Sequence, residues 1–137
     1  MRSVTVFFIL LMTLGVMAQP AKNEKAEAYN KIIQTGSATE KTALMHELLQ
    51  GLKTAKTEEP YSTAINLLQR LGFKNQADSV LKKAEKRFPK GALARTSFVN
   101  ERFYKAETTV AKEKIYRQIL QKWPVKNFPG SEITYDI

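Results

Sequence analysis

The sequence predicts an all-α protein built of stacked antiparallel helical hairpins, and three observations carry that prediction. Apolar residues recur at three- and four-residue intervals along most of the chain, the period of a helix with one buried face. Glycine or proline interrupts the pattern at Gly36, Pro60, Gly72, Pro89, Gly91 and Pro124, where helices are expected to start or stop. The hairpin from Glu58 to Gly91 is 34 residues long, a length that recurs in helical-repeat proteins. An irregular helical bundle that obeys the same local rules is the alternative architecture.

Residues 1–18 read as an export signal. Arg2 supplies the positive start, Val4 to Met12 form an apolar run, and Val16, Met17 and Ala18 place small residues where a signal peptidase cuts, between Ala18 and Gln19. A membrane-spanning helix needs about 20 apolar residues, and this run is shorter and diluted by Thr5, Thr13 and Gly15. The expected product is an exported protein, periplasmic or extracellular, soluble and without an integral membrane segment. The chain has no cysteine, so it offers neither a disulfide nor the thiol used for lipid anchoring.

The first expected helix, Asn23 to Gln34, aligns Ala26, Tyr29 and Ile33 and stops at Gly36. Ser37 or Thr39 caps the second, whose stripe is Ala43, Leu44, Leu48, Leu49, Leu52 and Ala55. Pro60 suits the first turn of the third, which presents Tyr61, Ala64, Ile65, Leu68 and Leu71 before Gly72 ends it. In the fourth, Ala77, Val80, Leu81, Ala84 and Phe88 share a face while Lys82, Lys83, Glu85 and Lys86 are assigned to water. The fifth, Ala92 to Ala106, carries Phe98, Val99 and Phe103; the sixth carries Ala111, Ile115, Tyr116, Ile119, Leu120 and Trp123 up to Pro124. Residues 19–130 are thus expected to form the helical domain. Ser131 opens a further helix for which 131–137 are too few residues, so the chain is expected to be the front of a longer polypeptide.

The residue types within Glu58 to Gly91 suit a tetratricopeptide-like unit. Tyr61, Ala64 and Leu68 stand at large, medium and large positions of the first helix, Ala77 and Ala84 are small residues that let the two helices approach, Leu81 helps to fill the groove, and Pro89 ends the unit. Ile65 stands where such units favour a small residue. The Phe88-Pro89 pair recurs as Trp123-Pro124, 35 residues on, but Ala77 and Ala84 become Lys112 and Ile119, so the repeat is degenerate.

With its leader, its hairpin LGFKNQADSVLKKAEKRFPKG and its junction KWPVKNFPGSEITYDI, the chain resembles the N-terminal helical region of exported TlpA-like thioredoxin-fold thiol-disulfide oxidoreductases. The resemblance implies that catalysis belongs to a downstream domain with a Cys-x-x-Cys pair. It therefore implies a non-catalytic interaction or positioning module whose partner is another protein, a peptide or that downstream domain.

The residues themselves suggest no catalytic centre. His46 is the single histidine and has no second ligand or triad partner in the pattern. Glu24, Glu27, Glu58, Glu59 and Asp78 are scattered acids whose expected role is surface pairing along helices. No cofactor or metal is expected. The formal charge is +9, and since Arg2 is the only charged residue of the leader, the remainder keeps +8. That balance suits acidic partners or anionic envelope surfaces, and a standalone basic adaptor is the alternative function. Nucleic acid is not expected, because aromatics are not interleaved with arginines. On a stacked hairpin the outer face of the third helix, with Asn66, Gln69 and Arg70, is the expected partner-contact surface.

Overall fold

The computed structural model describes residues 24–128. Every regular element among them is helical, and no strand occurs among the described residues. The leader, the Ala18–Gln19 junction and the helix expected from Ser131 lie outside the described residues. The chain divides into two compact units, one ending at Glu47 and the other starting at Leu48.

The first unit contains helix α1, described over 24–35, and most of α2 (Ala38–Gly51). Ser37 caps α2 through a reciprocal box. Its hydroxyl accepts from the Glu40 amide at 3.2 Å, and the Glu40 carboxylate accepts from the Ser37 amide at 2.7 Å and from its hydroxyl at 2.8 Å. Gly36 is required by space: a Cβ there would lie 2.5 Å from the Ile32 carbonyl oxygen, which already accepts from the Gly36 amide at 2.9 Å. Two expected stripe residues are exposed instead. The covered stretch of the α1 face begins only at Tyr29, leaving Ala26 in water. On α2 the buried pair is Leu44 and Met45, and successive residues turn by about 100°, which carries Ala43 to the far side.

The second unit holds α3 (Glu59–Arg70), α4 (Lys74–Arg87), α5 (Ala92–Phe98), a π-helical turn (Val99–Phe103), α6 (Thr109–Lys122) and a short 3-10 turn (Val125–Asn127). Leu52 and Ala55 are buried in the turn before α3. Pro60 occupies the first turn of α3, where its missing N–H costs no helical hydrogen bond. At the other end the chain reverses through Gly72 at φ +88°, a conformation that a side chain disfavours. The Phe73 amide reaches back to the Leu68 carbonyl at 2.9 Å and the Gly72 amide to Gln69 at 3.0 Å, the paired bonds of a Schellman ending.

Helices α3 and α4 then pack as a hairpin. Ala77 and Ala84 have no exposed surface, Ala64 is 2% exposed, and Leu68 is fully enclosed. Leu81, expected in the same stripe, is half-buried. Where the hairpin opens, Tyr61 meets Phe88 edge to face at 5.6 Å between centroids, and Arg87 donates to the Tyr61 hydroxyl at 3.0 Å.

Phe88 and Trp123 hold the same structural post. Each is the residue after its helix, each precedes a proline that disfavours further helical backbone, and their φ/ψ values are alike at −124°/64° and −130°/83°. Trp123 belongs to a second core with Val99, Phe103 and Ile119, flanked by Phe98, Ile115 and Tyr116. The fifth helix extends only to Phe98 before its turn widens, the Tyr104 amide bonding to the Val99 carbonyl five residues back at 3.1 Å. Thr108 caps α6 by accepting from the Ala111 amide at 3.2 Å.

One contact joins the start of one hairpin to the start of the next. The Glu58 carboxylate accepts from the Ala92 amide at 2.9 Å and the Leu93 amide at 2.8 Å, the first two N–H groups of α5. It supplies the cap that Gly91 cannot, and its charge faces the positive end of the helix. A scattered surface acid in the sequence is therefore a tertiary cap. Gly91 has an ordinary extended backbone, but a Cβ there would sit 2.5 Å from the Glu58 carboxylate.

Replacing Glu58→Ala is expected to cost about 0.5–2 kcal/mol, the range of a lost helix cap, read as a lower urea midpoint. Gly91→Ala should destabilise the native chain but cost measurably less when combined with Glu58→Ala. Strict additivity in that double-mutant cycle would mean that the carboxylate does not occupy the space above Gly91.

Candidate functional site

The expected contact residues are brought onto one face. Asn66, Gln69 and Arg70 occupy positions i, i+3 and i+4 of α3, and all three are exposed on the side away from Ala64, Ile65 and Leu68. Amide and guanidinium groups on a rigid helix can exchange hydrogen bonds with an extended backbone or a carboxylate. They offer no nucleophile.

A second candidate is an open cleft of about 190 Å³ in the same unit, which sequence periodicity does not reveal. Glu85 of α4, Ser97 and Phe98 of α5, Glu101 of the π turn, Lys122 of α6 and Trp123 line it. Glu85 is half-buried there, whereas helical spacing assigns it to water. Lys122 already occupies the aromatic face, its ammonium lying 4.6 Å from the Trp123 ring centroid and 6.0 Å from that of Phe98. The Trp123 indole Nε1 is buried and has no hydrogen-bond partner among the described residues.

His46 is exposed on α2, beside Ala38, Thr39, Thr42 and Ala43 along a shallow surface. No group of three or more metal-ligating side chains occurs among the described residues. No helix among the described residues is long and apolar enough to cross a membrane.

The most developed electrostatic cluster is Lys25, Tyr29 and Glu47 in the first unit. The Tyr29 hydroxyl donates to Glu47 Oε1 at 2.5 Å, Lys25 Nζ lies 3.1 Å from the same oxygen, and the ammonium stands 5.3 Å from the Tyr29 ring centroid. The hydrogen bond from Tyr29, then that from Lys25, holds the Glu47 carboxyl below the usual carboxylate range. Burial, then the bond to Glu47, raises the Tyr29 phenol, while hydrogen bonding to Tyr29 and then to Glu47 raises Lys25. Lys25 and Glu47 are both more than half exposed, so the cluster is a surface clasp between α1 and α2. The sequence held no signal for it, since Tyr29 and Glu47 are 18 residues apart.

Comparison of the chain with family models, with curated proteins and with solved structures finds no match. The functional reading therefore rests on the residues and their arrangement.

Because folding lowers the Glu47 pKa, the stability that this carboxylate contributes is present above its unfolded pKa, about 4.3, and is lost as pH falls through its lower folded value. Tyr29→Phe removes the foremost cause, so the Glu47 carboxyl resonance should titrate at higher pH in that variant. An unchanged NMR titration midpoint would show that the hydroxyl does not hold the carboxylate.

Proposed function

We propose that this chain is a non-catalytic helical-repeat module that holds or positions a protein partner through the outer face of α3. One observation supports the reading above others. Glu58, which opens the first hairpin, caps the helix that begins 34 residues later, so successive hairpins are joined at equivalent points, as in a repeat array. A module tied in this way holds the start of α5 against the start of α3. It presents the outer face of its first helices without needing any movement, and Asn66, Gln69 and Arg70 lie on that face of α3.

The equivalent posts of Phe88-Pro89 and Trp123-Pro124 support the same view, since two units end in the same way although their interiors differ. On the resemblance drawn from the sequence, the module is the N-terminal part of an exported TlpA-like oxidoreductase. The partner is then the downstream thioredoxin-fold domain or a protein that this domain serves. The module's contribution is orientation, which raises the local concentration of one surface near another without any bond being made or broken.

Two measurements test this reading. A photo-crosslinking residue at Asn66 or Gln69 should yield one discrete adduct in cells, while the same residue at Lys114, exposed on α6, should not; equal adducts from both positions would remove the α3 face from the account. Reading the coding sequence beyond Ile137 should reveal a continuation with a Cys-x-x-Cys pair, and a stop codon there would dissociate the module from a redox parent. Export is checked separately by N-terminal sequencing of the secreted or periplasmic form, expected to begin at Gln19.

A further inference from the structure

We propose that the solvent face of α4 is an electrostatic docking surface for anionic lipid headgroups. Lys82 and Lys86 stand one turn apart on the exposed side of α4, Lys83 flanks them, and Lys90 follows just beyond the helix end; all four are exposed. Between and before them the arc carries the neutral Asn75 and Ser79. Asp78 is the acid nearest to Lys82 on this side, and no ion pair within 4 Å joins either residue to a described partner. Glu85, the other acid of α4, turns into the cleft toward α5 and α6. Among the described residues, no ion pair takes up the charge of Lys82, Lys83, Lys86 or Lys90.

The form of the charge selects the partner. Lysine ammoniums are compact, mobile point charges, while recognition of a particular carboxylate favours the planar fork of arginine. The one arginine of this helix end, Arg87, is engaged with the Tyr61 hydroxyl and stacks near the Phe88 ring. No aromatic side chain stands on the exposed arc for bases to stack on, and no apolar residue on it could insert between acyl chains. A convex row of lysines with no directional feature suits a surface of dense, diffuse negative charge. This inference stands on α4 and is independent of the α3 reading.

The test is sedimentation of the full chain with vesicles of phosphatidylglycerol and phosphatidylcholine, with pure phosphatidylcholine as the baseline that absorbs any contribution of the apolar residues 4–18. Binding in excess of that baseline should fall steeply as salt rises from about 0.05 M to about 0.5 M. Each lysine near such a surface contributes about fivefold, so Lys82→Gln, Lys83→Gln and Lys86→Gln together should weaken it on the order of a hundredfold. The corresponding triple arginine variant should retain it. Removing equal charge elsewhere, with Lys53→Gln, Lys105→Gln and Lys114→Gln, should leave most of the excess intact. The proposal is overturned if there is no excess binding, if the excess is insensitive to salt, or if the second glutamine set loses as much as the first. Displacement by stoichiometric polyglutamate would assign the face to an acidic polypeptide and equally overturn the lipid partner.

Discussion

Ala64, Ala77 and Ala84 set the spacing on which the second unit depends. With only a methyl group at each of these buried positions, α3 and α4 pack with Leu68 wholly enclosed and Tyr61 against the Phe88 ring. A larger residue at any of these positions would push the helices apart and open the interior around Leu68, because a packed core accommodates extra volume only by displacing its neighbours. The close approach also explains how the connection can be so short. The Schellman ending at Gly72 returns the chain within three residues, a geometry that serves only if the second helix can lie directly against the first.

The hairpin then dictates the path into α5. Phe88 leaves the helix because Pro89 cannot continue it, and the chain turns back so that the amides of Ala92 and Leu93 arrive at Glu58. Those amides have no partner within their own helix, and α5 spans only Ala92–Phe98 before its turn widens. A charge-assisted cap from outside the segment is thus a condition for starting it at this point. The second core, around Phe103, Ile119 and Trp123, holds the other side of the same segment.

This division of labour bears on function. The interior-facing residues are committed to packing, whereas Asn66, Gln69 and Arg70 of α3 and the lysines of α4 lie on surfaces exposed to solvent. They project from a pair of helices held at a fixed spacing, so their mutual positions are set before any partner arrives. Preorganisation of this kind lowers the ordering cost of association.

Much of this arrangement was legible in the sequence because it is local. Helical stripes follow from the 3.6-residue period, Pro60, Gly72 and Pro89 act through their own backbone sterics, and the Ser37-x-x-Glu40 box is complete within one turn. The positions of Asn66, Gln69 and Arg70 on one exposed face follow from the same period. Tertiary structure alone decided that Glu58 caps a helix 34 residues away, that Tyr29 clasps Glu47, that Glu85 turns into a cleft, and that the fifth helix widens at Val99. Those outcomes depend on which side chains the folded path brings within bonding distance, and a one-dimensional period carries no information about distance between helices.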